Sequence, residues 1–127
     1  MLKPINFSRA KLIVEFGAGE GCITKELLKN MGPDTLLMSF EKNETIFGVL
    51  SGIRDKRLIA IQDVAEKLPS YLLSFNLSMP DYIVSSLPLA SLPKDVWKRV
   101  IHSVKAALPP QGKYIQYQYS LKSLREF

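Results

Sequence analysis

Glu15-Phe16-Gly17-Ala18-Gly19-Glu20-Gly21 places an acid and three glycines, spaced by two, at the end of the apolar run Lys11–Phe16. Glycine is used where a backbone turns tightly or approaches a ligand without a Cβ in the way. A dinucleotide-binding turn reads G-x-G-x-x-G and seats a pyrophosphate on a helix N-terminus. Counted from Gly17, that pattern needs glycine at 22, where the chain has Cys22. Glu15 would also be a poor neighbour for a pyrophosphate and a good one for a cationic ligand. Two more acids end apolar runs: Glu41 after Thr35–Phe40, and Asp63 after Leu58–Ile61. A chemistry built on a His or Cys nucleophile finds little here. His102 reads as a helix-surface or partly packed residue. Cys22 reads as a small buried residue at a helix start, and Trp97 as core, with an interfacial membrane contact as its alternative.

The elements that must position these residues alternate in type. Strands are expected at Lys11–Phe16, Thr35–Phe40, Leu58–Ile61, Tyr82–Ser85 and Lys113–Tyr119. Between them, Ile23, Leu27, Leu28 and Met31 recur at helical spacing, and Gly32-Pro33-Asp34 stops that helix. A short helix over Thr45–Leu50 is closed by Gly52, and Glu66–Phe75 reads as an irregular helix interrupted by Pro69. Val96, Trp97, Val100, Ile101, Val104, Ala107 and Leu108 give the last helix one apolar face. Strand and helix in strict alternation imply a parallel sheet covered on both sides. In such sheets ligands sit beyond the carboxyl ends of the strands, at the topological switch point. Glu15–Gly21, Glu41, Asp63 and Ser85–Leu89 all fall at those ends.

E-x-G-x-G-x-G with these acids resembles the first motifs of class I S-adenosylmethionine-dependent methyltransferases. The resemblance implies a Rossmann-like, mainly parallel α/β sheet as a single domain over residues 1–127. It also implies S-adenosyl-L-methionine as cofactor and no metal. Glu15, Phe16, Gly17, Ala18, Gly19 and Gly21 would line its methionine and ribose portions. Glu41, beside Lys42, would accept from the ribose hydroxyls. Asp63 and Val64 would sit by the adenine, and Ser85 would end the fourth strand against the cofactor. The segment from Asp81 to Ser120 is similar to the bacterial phospholipid N-methyltransferases, which methylate phosphatidylethanolamine. It carries Ser86-Leu87-Pro88-Leu89, Ser91-Leu92-Pro93 and Gln116-Tyr117-Gln118-Tyr119-Ser120 in their places. Ser86, Leu87 and Pro88 then form the catalytic segment, with the Ser86 hydroxyl or the Leu87 carbonyl accepting protons of an amine. In the neighbouring ribosomal RNA adenine dimethyltransferase group the motif is Asn-Leu-Pro-aromatic. Here Ser86 and Leu89 replace the Asn and the aromatic, so RNA ranks second as acceptor. A third reading is a cofactor-binding or interaction domain without turnover.

Totals are compatible with this. A chain of 127 residues suits one core, and no stretch has the ~20 apolar residues of a membrane span. Lys and Arg exceed Asp and Glu by 17 to 12, which favours anionic partners such as a membrane surface or phospholipid. The densest charge group, Arg54-Asp55-Lys56-Arg57, reads equally as a solvated turn or a binding patch. A single cysteine fits a cytoplasmic protein, peripheral at the membrane if its acceptor is a lipid. Relative to the resembled family, about ten residues precede the first strand and LKSLREF follows Ser120. The expectation is a minimal or truncated methyltransferase fold ending at the fifth strand. That strand would be a tyrosine-rich edge, which a homodimer would cover.

Overall fold

The computed structural model describes residues 4–88 and 91–117. Five strands, β1 (Leu12–Phe16), β2 (Leu36–Phe40), β3 (Leu58–Ile61), β4 (Tyr82–Ser85) and β5 (Lys113–Gln116), form one sheet in the order β3-β2-β1-β4-β5. Every neighbouring pair is parallel. The chain runs outward from β1 to β3, then crosses back to lay β4 on the other side of β1. The switch point therefore lies between β1 and β4, and the glycine turn leaves β1 directly above it.

The two-residue period of the strands divides the core into two layers. Leu12, Val14 and Phe16, with Met38, Phe40, Ile61 and Ile83, face helices α3 (Leu68–Ser74) and α4 (Lys94–Ala107). Ile13, Leu37 and Val84 face α1 (Cys22–Asn30) and the segment carrying Ile5 and Ala10. Helix α2 (Glu44–Leu50) follows β2, with Asn43 capping it by accepting from the Ile46 amide at 3.0 Å.

The expected strands and helices are present, with local differences. Pro69 does not interrupt a helix. A 3₁₀ turn over Ala65–Lys67 precedes it, and Pro69 lies in the first turn of α3, where its missing N–H costs no helical bond. Cys22 is exposed, not buried, because it opens α1 on the side away from the sheet. Trp97 is also a correction: it is 39% exposed, while Val100 and Val104 of the same helix carry the packing. His102 is exposed on α4. Tyr117 is buried against the α1 layer, while Leu89, Gln118, Tyr119 and Ser120 lie outside the described residues.

The dense charge group proves to be architectural at Arg57. Its Nη1 donates to the carbonyls of Met31 and Gly32 at 3.0 and 3.2 Å, and its Nη2 to that of Leu28 at 3.0 Å. Those of Leu28 and Met31 are left open at the C-terminal end of α1, and that of Gly32, in the turn beyond, also accepts from the Thr35 amide at 3.4 Å. Asp55 holds the guanidinium in place at 2.6 Å, and Arg57's hydrogen bonds lower the Asp55 carboxyl to about 2. Among the described residues no helix is long and apolar enough to cross a membrane.

Candidate cofactor and acceptor site

Above the carboxyl ends of β1–β4 the structure encloses a cavity of about 550 Å³. Its rim and walls gather Gly17, Glu41, Lys42, Asp63, Val64, Ser86, Leu87 and Pro88, all named from the sequence. The glycine turn is built to stand close to this space. Gly17, Gly19 and Gly21 have φ of 66°, 59° and 97°, a region L side chains rarely adopt. A Cβ on Gly17 would meet Leu87 Cδ2 at 3.0 Å, and one on Gly21 would meet Ile53 Cδ1 at 2.7 Å. The turn is thus wedged between the β4 loop and the segment after α2.

Glu41 locks this turn. Its Oε1 accepts from the Gly19 amide at 2.9 Å and its Oε2 from the Asn43 amide at 3.0 Å, while Ala18 N donates to the Phe40 carbonyl at 3.0 Å. Each carboxylate oxygen keeps a free lone pair for further donors. Asp63 is held at both oxygens, by the Tyr71 hydroxyl at 2.6 Å and the Val64 amide at 2.7 Å. The Tyr71 hydrogen bond, then that amide, keep the Asp63 carboxyl below its ordinary range, and the same bond pushes the Tyr71 phenol up.

Not every sequence-named residue reaches the cavity. Glu15 is fully buried on the α1 side of β1, where its Oε1 accepts from Thr24 Oγ1 at 2.5 Å and Ser39 Oγ at 2.8 Å. Burial pushes its carboxyl up, and the two hydroxyls offset part of that. Phe16 is a core residue edge-on to Phe40 at 5.8 Å, and Ser85 is buried in the sheet. Ala18, Gly19 and Gly21 shape the turn from behind.

Other wall residues were legible only in part. Val96 and Val100 were read as the apolar face of the last helix; they wall the cavity together with Leu92. Phe40 and Ala65 add to the apolar lining. Arg99, also at the cavity, makes only loose ion pairs, to Glu66 at 3.6 Å and Asp95 at 3.3 Å. No periodicity marks it out from the other cations of α4.

Two observations test whether these residues fit S-adenosylmethionine. The Ser86 hydroxyl oxygen is buried at the cavity and has no hydrogen-bond partner among the described residues. Glu41, with spare acceptor capacity, lines the same largely apolar space. A carboxylate acceptor, apolar walls and an unused polar atom around one cavity suit a ligand with a hydroxylated sugar, a ring and a reactive end.

No protein-family profile matches the chain. An ornithine lipid N-methyltransferase of Singulisphaera acidiphila is 30% identical over 119 residues, spanning 91% of this chain and 61% of that protein. The chain therefore spans about three fifths of the length of this curated relative. Among solved structures, the plantazolicin methyltransferase BpumL, in complex with SAH and a pentazolic analogue, superposes with a TM-score of 0.72 at 13% identity. That match covers 92% of this chain and 42% of the other. A putative rRNA methylase from Clostridium thermocellum gives a TM-score of 0.70 at 13% identity, covering 89% and 63% of the two chains. The strand order, the glycine turn above the switch point and these superpositions agree: the chain has the Rossmann-like fold of the class I S-adenosylmethionine-dependent methyltransferases.

Proposed function

We propose that the protein is an S-adenosylmethionine-dependent N-methyltransferase acting on an amine of a lipid head group at an anionic membrane surface. The observation that carries this reading is the convergence of Gly17, Glu41, Asp63-Val64 and Ser86-Leu87-Pro88 on one cavity. The lipid acceptor rests on the similarity to an ornithine lipid N-methyltransferase. When bound, S-adenosylmethionine supplies a methyl group on a sulfonium, an activated donor that needs no protein nucleophile.

The chain's own residues bind, orient and exclude water. Glu41 would accept from the ribose hydroxyls with the lone pairs it does not spend on Gly19 and Asn43. Val64 and Asp63 would border the adenine. Leu87, Leu92, Val96 and Val100 make the acceptor side apolar, which disfavours the ammonium form and leaves the amine lone pair free to attack. Ser86 offers a hydrogen-bond acceptor that fixes the direction of that lone pair.

Calorimetric titration with S-adenosylmethionine tests the shared core of this reading. Binding is expected, weakened about tenfold or more by Glu41→Ala, the scale of losing a charged hydrogen bond. A wild type that does not bind, or undiminished binding by the variant, overturns the site. Radiolabelled methyl transfer to vesicles of phosphatidylethanolamine or an ornithine lipid is then compared with transfer to RNA. Label in RNA alone would move the acceptor to adenine. Binding without transfer to either would leave a cofactor-binding domain without turnover.

A further inference from the structure

The backbone N–H and C=O of Leu87 are held by Ser85 of β4 and Gln116 of β5, and Gln116 is held in turn by Tyr114. Leu87 N donates to Ser85 Oγ at 3.2 Å. On the neighbouring strand the Tyr114 phenol donates to Gln116 Oε1. Gln116 Nε2 in turn donates to the Leu87 carbonyl at 2.8 Å, and also to that of Tyr117 at 3.0 Å. The strand pleat explains how the residues meet. Tyr114 and Gln116 lie two apart on β5, and Ser85 pairs with Gln116 in the β4–β5 register.

Ser86 stands between the two anchored residues. Its amide is tied to the Phe16 carbonyl at 3.0 Å, but its hydroxyl oxygen is buried without a partner among the described residues, on a residue that lines the cavity. A buried hydroxyl left unmatched carries a desolvation cost, which a ligand that pairs with it recovers. We propose that Tyr114 and Gln116 are positioning residues. By fixing the Leu87 peptide they commit its carbonyl to the protein and leave the Ser86 hydroxyl to take a hydrogen bond from the acceptor amine. The consequence for the reaction rests on the methyltransferase reading above; the anchoring of Leu87 does not.

Two readouts separate these parts. Amide hydrogen exchange, followed residue by residue by NMR on the whole chain, reports the anchoring without cofactor or lipid. Tyr114→Phe, which keeps the ring, and Gln116→Glu, which keeps an acceptor for Tyr114 but cannot donate to Leu87, should each speed exchange at Leu87 about tenfold or more. Val14 and Val84, in the sheet interior, should be unmoved. Unchanged Leu87 exchange in both variants overturns the proposal, whether or not the wild type methylates anything. In the transfer assay both variants should lose about tenfold in kcat, with S-adenosylmethionine affinity within about twofold of wild type. Full turnover in either variant, or cofactor affinity falling in parallel with turnover, overturns the positioning role. A wild type that fails to bind the cofactor counts against the proposed function alone.

Discussion

Glu15 and Glu41 stand at the ends of neighbouring strands, yet one faces the α1 layer and the other the cavity. Their chemistry diverges accordingly. Glu41 is solvated and accepts two amides, whereas Glu15 is fully buried with Oε2 unpartnered among the described residues. Burial raises the Glu15 carboxyl above 4.5, so the folded state binds a proton that the unfolded chain has released. The sign follows: Glu15 leaves stability intact below pH 4.5 and subtracts from it as pH rises toward its folded value. Glu15→Gln keeps an acceptor for Thr24 and Ser39 and removes the titration. Its Tm should exceed that of the wild type at pH 8, with the gap closing below pH 4.5; a pH-independent gap would show that Glu15 does not titrate in the fold. Gly17 is constrained from both its backbone and its space. Gly17→Ala forces a left-handed residue, at about 1–2 kcal/mol, and presses its Cβ on Leu87 Cδ2 at 3.0 Å. Thermal unfolding should show that loss, and calorimetry a weaker affinity for S-adenosylmethionine, because Leu87 is cavity wall.

At the scale of elements, strand and helix order was legible because the strands are short apolar runs, the first and last helices carry a helical period, and most runs stop within two residues of a Gly, Pro or acid. The acids Glu41 and Asp63 were legible for the same reason: their positions are set by where the strands stop. What escaped the sequence depends on long-range pairing. Gln116 reaches Leu87 across 29 positions, and Arg57 reaches Leu28 across the same distance, and no local pattern encodes either. Cys22 and Trp97 are exposed because packing takes Thr24, Leu27 and Leu28 of α1 and Val100 and Val104 of α4, a choice that residue type and apolar spacing alone do not make. Arg57 shows how much a single missed contact governs. With one side chain it satisfies three carbonyls at the end of α1 and in the turn beyond, so Arg57→Met should cost about 1–3 kcal/mol, read as a lower midpoint in urea. The Asp55 carboxylate that steadies it adds stability above its unfolded value of 3.8, and loses it as pH falls toward about 2. Arg57→Met should therefore flatten the acid limb of the stability curve over that interval, and an unaltered limb would assign it to other carboxylates.

On the scale of the whole molecule, a net charge of +5 matters only where the cations are free to meet a partner. Arg57 is spent inside the fold, but α4 presents Lys94, Trp97 and Lys98 exposed at i, i+3 and i+4, a spacing that puts them on one face. The next residues, Val96 and Arg99, line the cavity, so the helix that borders the proposed acceptor site also carries an amphipathic, cationic surface. A ring between two lysines suits the boundary between head groups and acyl chains. Trp97 is the one tryptophan of the chain, which makes its fluorescence a specific reporter. Vesicles containing phosphatidylglycerol should shift its emission to the blue, and neutral phosphatidylcholine vesicles should do so far less. Lys94→Gln and Lys98→Gln should each weaken partition about fivefold at low salt, near 1 kcal/mol per charge, and less at 0.5 M salt, where charges separated by more than a few ångströms are screened. Neither lysine belongs to the cavity, so affinity for S-adenosylmethionine should not change with them. Emission that ignores anionic vesicles would remove α4 from the membrane contact and leave the lipid acceptor to reach the cavity from solution.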